Sequence, residues 1–126
     1  MRSSDLLGDR LTDALRVRLQ PVHPEEVTVR LLPAWARPFL SRWVAAVTLP
    51  WGVYVRGDIL ADRTGKLPAL LVHELVHVRQ WRTLGPFGFL RRYLGDYLGG
   101  RLRRLGHKEA YMRIRLEQEA VRIAGS

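Results

Sequence analysis

The chain has 126 residues, 47% of them hydrophobic, and carries 21 basic against 12 acidic side chains, a formal net charge of +9. That length and apolar content predict one globular domain over residues 1–126 and exclude a disordered chain. Cysteine is absent, which excludes disulfides and thiolate metal sites, so a bound metal would need His, Glu or Asp as ligands.

In chain order, residues 4–20 read as an amphipathic helix with Ser4 as N-cap and Leu7, Leu11 and Leu15 on its apolar face. Pro21 ends it and Pro24 keeps the linker extended. Val27 to Leu31 alternates as a strand does. An irregular segment around Pro33 and Pro38 follows, with a short helix over 36–42. Residues 43–49 and 52–56 are two β-like runs, and Pro50-Trp51-Gly52 between them predicts a tight hairpin. Residues 57–65 read as a polar loop. A helix over 67–84 has Pro68 in its first turn and Gly85-Pro86 as its stop. A second helix over 87–98 places Phe87, Leu90, Tyr93, Leu94 and Tyr97 on one side. Gly99-Gly100 is a break, 101–106 a basic connector, and 107–124 a last helix. This order predicts an α+β fold, with a small three-stranded antiparallel or mixed sheet packed on the 67–84 helix between N-terminal and C-terminal helices. No apolar run approaches the ~18 residues of a membrane span, and no apolar signal core follows the first charges, so a cytoplasmic chain is expected.

The 67–84 helix contains His73-Glu74-Leu75-Val76-His77, an H-E-x-x-H motif. One helical turn puts both imidazoles on one face, where they can share a zinc ion, and Glu74 can reach a water on it. The flanks Leu70, Leu71, Val72, Leu75, Val76 and Val78 suit a buried helix. A plain core helix with two satisfied histidines is disfavoured by the cost of burying Glu74 beside them. A catalytic zinc needs a third protein ligand and an open position. The metzincin pattern would place Gly and His where Gln80 and Thr83 stand, so that class is excluded. Glu109, Glu117, Glu119 and His107 remain for the third ligand. Glu117 and Glu119 lie about 200° apart on an ideal helix, so they cannot both reach one metal. Glu119 with Arg115 and Glu109 with Arg113 also have the spacing of solvated ion pairs.

H-E-L-V-H-V-R-Q-W, followed by Ala110-Tyr111 and then Glu117-Gln118-Glu119-Ala120, resembles the small bacterial zinc metallopeptidases of minimal gluzincin type, over roughly residues 47–122. The resemblance implies a zincin-like fold with one Zn2+ held by His73, His77 and Glu117, the first Glu of Glu-x-x-Ala. It implies Glu74 as the catalytic base that activates a zinc-bound water for peptide hydrolysis. It also favours Tyr111 as the hydroxyl that stabilises the oxyanion, ahead of Tyr93, Tyr97 and His107. A peptide or protein substrate would pair with the sheet's edge strand, for which Gly52 to Arg56 is the expected segment. The chain departs from larger gluzincins around Glu117, with Leu116 before it and Ala120-Val121 after. The Asp that orients a histidine there is missing, so another group must do so.

Gln80 and Trp81 share the histidine face; Gln80 is placed to hydrogen-bond a ligand and Trp81 to pack. His23, Glu25 and Glu26 lie in the segment 1–26, whose sharper reading is a cover over the cleft and whose plainer one is an exposed linker. Residues 79–115 hold ten basic side chains against Asp96 and Glu109, a net of +8. A solvated arginine face explains this; an anionic membrane surface or nucleic acid is the other class of partner, without a nucleic-acid motif to accompany it. The alternatives to a peptidase are thus a non-catalytic zinc-binding module and an Arg-rich surface binder.

Overall fold

The computed structural model describes residues 1–39, 45–61, 65, 67–104 and 106–124, apart from the side chains of 37–39 and 107. The expected N-terminal helix is two helices, α1 (Ser3–Leu7) and α2 (Asp13–Leu19), with a 3-10 turn at Gly8–Arg10 between them. Gly8 at φ +53° breaks the run, a conformation the side-chain-bearing residues around it avoid. Thr12, not Ser4, provides a side-chain cap, accepting from the Leu15 N–H at 3.2 Å. Ser3 is fully buried and donates to the Pro24 carbonyl at 2.5 Å. These ties hold Leu7, Leu19, Val22 and Val27 in the main core.

Three short strands form a mixed sheet in the order β1 (Val29–Leu31), β3 (Gly52–Val55), β2 (Ala46–Leu49). β2 and β3 are the predicted hairpin, closed by the pair Leu49 and Gly52 around Pro50-Trp51. β1 runs parallel to β3, with Val29 beside Val53 and Leu31 beside Val55. Gly52 is required where it stands, because a Cβ there would come within 3.0 Å of the Thr28 carbonyl. Val29, Val53 and Val55 turn their side chains inward, onto Leu71, Leu75, Val76 and Val78. The middle position of β3 corrects the sequence expectation. Gly52 to Arg56 is not an edge; among the described residues the free edge beside the hairpin belongs to β2. The first part of the expected run, residues 43–44, and the end of the 36–42 helix lie outside the described residues; 34–39 forms a 3-10 helix.

The expected loop at 57–65 begins with one helical turn, α3 (Gly57–Leu60). α4 spans Leu67–Leu102 and contains a sharp kink at Gly85, φ +74° and ψ +163°. Gly85-Pro86 thus stops the first helix as expected and a second begins at once across the kink, while Gly99-Gly100 does not interrupt that second helix. In a straight helix Trp81 and Phe89 would be ~12 Å apart along the axis. Their rings stack at 4.0 Å, and His77 lies 6.5 Å from Tyr93 between ring centroids. The kink thus returns the second half of α4 over the histidines. Of the apolar side expected from the sequence Tyr93 packs toward the histidines, but Phe87, Leu90 and Leu94 are exposed and Phe89, not foreseen, is buried. The C-terminal helix is also divided, into α5 (His107–Met112) and α6 (Arg115–Ala124).

Candidate metal centre

The centre lies where α6 crosses α4. His73 and His77 leave α4 one turn apart, their rings edge to face at 4.9 Å. Buried Ala120 and Ile114 draw the C-terminal segment in, and Glu117, one turn before Ala120, is carried with them to 5% exposure. Its Oε1 lies 2.8 Å from His73 Nε2 and 2.7 Å from His77 Nε2. One ligand atom from each of the three residues fits within a 4.8 Å span.

The surrounding hydrogen bonds define what each group presents. Tyr93 donates its hydroxyl to Glu117 Oε2 at 2.6 Å, leaving Oε1 for the histidines. Gln80 donates its amide N–H groups to the Leu116 carbonyl at 2.9 Å and to Glu119 at 3.1 Å. Those two acceptors fix the amide's orientation, so its oxygen faces His77 Nδ1 at 2.8 Å and must receive a proton from it. A neutral His77 then carries a lone pair on Nε2, aimed at a carboxylate oxygen. Two acceptors at 2.7 Å are stable only with a cation between or beside them, either a proton or a metal. Burial opposes the charged ring, but the hydrogen bond and charge of Glu117, with Glu74 nearby, raise the His77 pKa. The same pairing with His73 and His77 holds the Glu117 carboxyl far below the ordinary range although burial acts against it. Two imidazole nitrogens and one carboxylate oxygen, with a glutamine ordering one ring, form a donor set suited to zinc.

Glu74 is buried beside this group and accepts a hydrogen bond from the Thr48 hydroxyl on β2. Trp81 donates its indole N–H to the Thr48 carbonyl at 3.1 Å, which fastens β2 to α4. Tyr111 is half-buried with its hydroxyl within hydrogen-bonding reach of Glu117 and Tyr93. Burial first, then the Glu117 charge, push both tyrosines well above their ordinary pKa, so both stay protonated donors.

The fold thus brings His73, Glu74, His77, Glu117 and Tyr111 together, with Gln80 in the place of the missing orienting Asp. Glu119 approaches only through Gln80 and is not in the three-residue group. His23 is exposed, Glu25 pairs with Arg16 and Glu26 lies 3.9 Å from Arg82, so none of the three joins the ligands. Glu109 is exposed; the side chain of His107 lies outside the described residues. Sequence reasoning missed Thr48 and Asp96. Asp96 accepts from the Arg115 backbone N–H at 3.1 Å and from its guanidinium at 3.0 Å, holding the start of α6 two residues before Glu117. A polar residue in an otherwise apolar strand was the one signal for Thr48; Asp96 carried none. Compared with known protein families, curated proteins and solved structures, the chain finds no match.

Proposed function

We propose that the protein is a zinc-dependent metallopeptidase of minimal gluzincin type, with His73, His77 and Glu117 as ligands of one zinc ion and Glu74 as general base. The observation that carries this reading is the convergence of Glu117, from 40 residues away, on the Nε2 atoms of both motif histidines. Zinc in such a site polarises a carbonyl and lowers the pKa of a bound water towards ~7.

The chain's own residues supply the remaining work. Glu74, anchored by Thr48, accepts the proton of the attacking water at its carboxylate and returns it to the leaving amine. Tyr111 and Tyr93 are the hydroxyl donors nearest the ligand carboxylate, both within reach of Glu117, and Tyr111 is the one that the gluzincin resemblance favours for a developing oxyanion. β2 is the strand on which an extended peptide would lie. The bond from the Arg56 N–H to the Ala45 carbonyl sets the phase of the hairpin, so that Ala46 and Thr48 turn their backbone groups to the free edge. Trp81 takes the Thr48 carbonyl, which leaves Ala46 and the Thr48 N–H to pair with substrate backbone.

Two measurements on one set of proteins test this. Wild type should hold one zinc per chain after zinc incubation and dialysis, Glu117→Ala little, and Glu119→Ala about as much as wild type. Zinc-loaded wild type should cleave an unfolded protein substrate, while Glu74→Gln keeps its zinc and loses about 10²- to 10⁴-fold in rate. A wild type without zinc would refute the metal centre. Zinc bound with no hydrolysis of any unfolded substrate would refute the peptidase and leave a structural zinc module.

A further inference from the structure

The second half of α4, Pro86 to Leu102, has two apolar faces. At 100° per residue Phe89 and Tyr93 point to the metal centre, whereas Phe87, Leu94 and Leu98 project from the opposite side, flanked by Leu90 and Leu102. These five are 43–90% exposed, with Phe87 and Leu102 at the upper end. They form a continuous stripe about 15 residues long, far more than scattered surface leucines require. Arg91 and Arg101 lie within the stripe's borders, Arg92 beside it, and Arg103 and Arg104 at its end. The one acid between residues 86 and 104 is Asp96, which faces away and is held by Arg115.

We propose that this face is an interfacial helix that docks the protein on an anionic lipid bilayer. Apolar side chains of this size flanked by arginines, with no acid among them, match a lipid interface: the Phe and Leu side chains enter the acyl boundary and the guanidinium groups meet lipid phosphates. Charge selects this occupant. A second copy seated on the same face would set the arginines of one helix against those of the other with no carboxylate to receive them. Nucleic acid would satisfy the arginines and leave five large apolar side chains unburied. No helix among the described residues is long and apolar enough to cross a membrane, so the contact is peripheral. Because Tyr93 on the same helix bonds Glu117, the metal centre would sit about one helix diameter, ~10 Å, from the lipid surface. Resting on the peptidase reading, this makes polypeptide held at a membrane surface the substrate class.

The test uses full-length protein and vesicles of phosphatidylcholine with or without phosphatidylglycerol, read by co-sedimentation without any hydrolysis assay. It therefore stands or falls separately from the metal centre and from the peptidase. The protein should sediment with the anionic vesicles and at least about tenfold less with the neutral ones. Phe87→Glu/Leu94→Glu and Arg101→Glu/Arg103→Glu should each reduce anionic-vesicle binding at least about tenfold. All four positions are exposed, and circular dichroism with thermal unfolding reports whether each variant keeps the wild-type fold. No binding to anionic vesicles, or binding indifferent to Phe87 and Leu94 in folded variants, overturns the proposal. So does a lipid-free dimer in sedimentation velocity that dissociates in Phe87→Glu/Leu94→Glu, or retention on duplex DNA that needs those same two residues while vesicle binding does not.

Discussion

At the level of single residues, the centre depends on groups that decide which atom each ligand offers. Gln80 is the clearest case. Its oxygen commits the His77 proton to Nδ1 and frees Nε2. Gln80→Leu should therefore keep the fold and weaken zinc binding about 10- to 100-fold, measured by competition with a chromophoric chelator. Gln80→Glu should retain most of the affinity, since a carboxylate accepts the same hydrogen bond. Thr48 is a positioning residue for Glu74 in the same sense. Thr48→Val removes the donor at nearly constant volume and should lower kcat about 10- to 100-fold with KM and zinc content little changed, and Thr48→Ser should restore it. The motif residues were legible in the sequence because H-E-x-x-H is a local property: helical spacing alone puts His73 and His77 on one face. Glu117 was reachable through the resemblance, as the first Glu of Glu-x-x-Ala; the residues alone leave Glu109, Glu119 and His107 open beside it. Thr48 was not, because its partner is 26 residues away and nothing periodic in a four-residue strand distinguishes a hydroxyl aimed at a carboxylate from one aimed at water.

At the level of elements, two joints aim these residues. The first is the kink at Gly85, whose φ and ψ fall in a region open essentially to glycine alone. Nothing lies within 4 Å of a Cβ placed there, so Gly85→Ala tests backbone strain without a clash. It should destabilise by about 1–3 kcal/mol in urea unfolding and shift the near-ultraviolet signal of the stacked Trp81 and Phe89. The stop at Gly85-Pro86 is legible in the sequence; that the second helix folds straight back on the first is not, because it depends on the stacking of Trp81, Phe89 and Tyr93. The same bend explains why Leu90 and Leu94 were grouped with Tyr93. A helix with two apolar faces offers no polar side by which to tell them apart. The second joint is Asp96 at the start of α6. The Arg115 hydrogen bond, outweighing partial burial, holds its carboxyl below the ordinary range. A depressed carboxyl stabilises the fold above its unfolded pKa and loses that contribution as pH falls through the folded value. Asp96→Ala should thus cost about 1 kcal/mol at pH 7 and nothing measurable once pH is well below the carboxylate range, with the two unfolding curves converging on acidification.

At the level of the whole molecule, the sheet and the N-terminal helices pack on one part of α4 while α6 closes on it to complete the candidate metal centre, so the proposed ligands bridge two parts of the fold. α6 packs on α4 through buried Ala120, with Ile123 and Ala124 half-buried against the core, and Glu117 is its buried acid. The acidic Glu117 is held there by two histidines and a tyrosine. Zinc that binds these ligands binds the folded state and not the unfolded chain, and so stabilises it by mass action, about 2.7 kcal/mol at a hundred times Kd. For a chain of this length that predicts a rise in Tm of about 10 °C with zinc, reversed by chelation. Glu117→Ala should show less than a third of that rise, from an apo protein of lower Tm than wild type, because His73, His77 and Tyr93 lose their shared partner. Glu74→Gln should show the full rise, since Glu74 is not in the three-residue group. The comparison separates this centre from adventitious binding: zinc on exposed histidines such as His23 would shift all three proteins alike. An equal rise in wild type and Glu117→Ala would mean that α6 is not clamped through Glu117, and the three-ligand centre would fall with it.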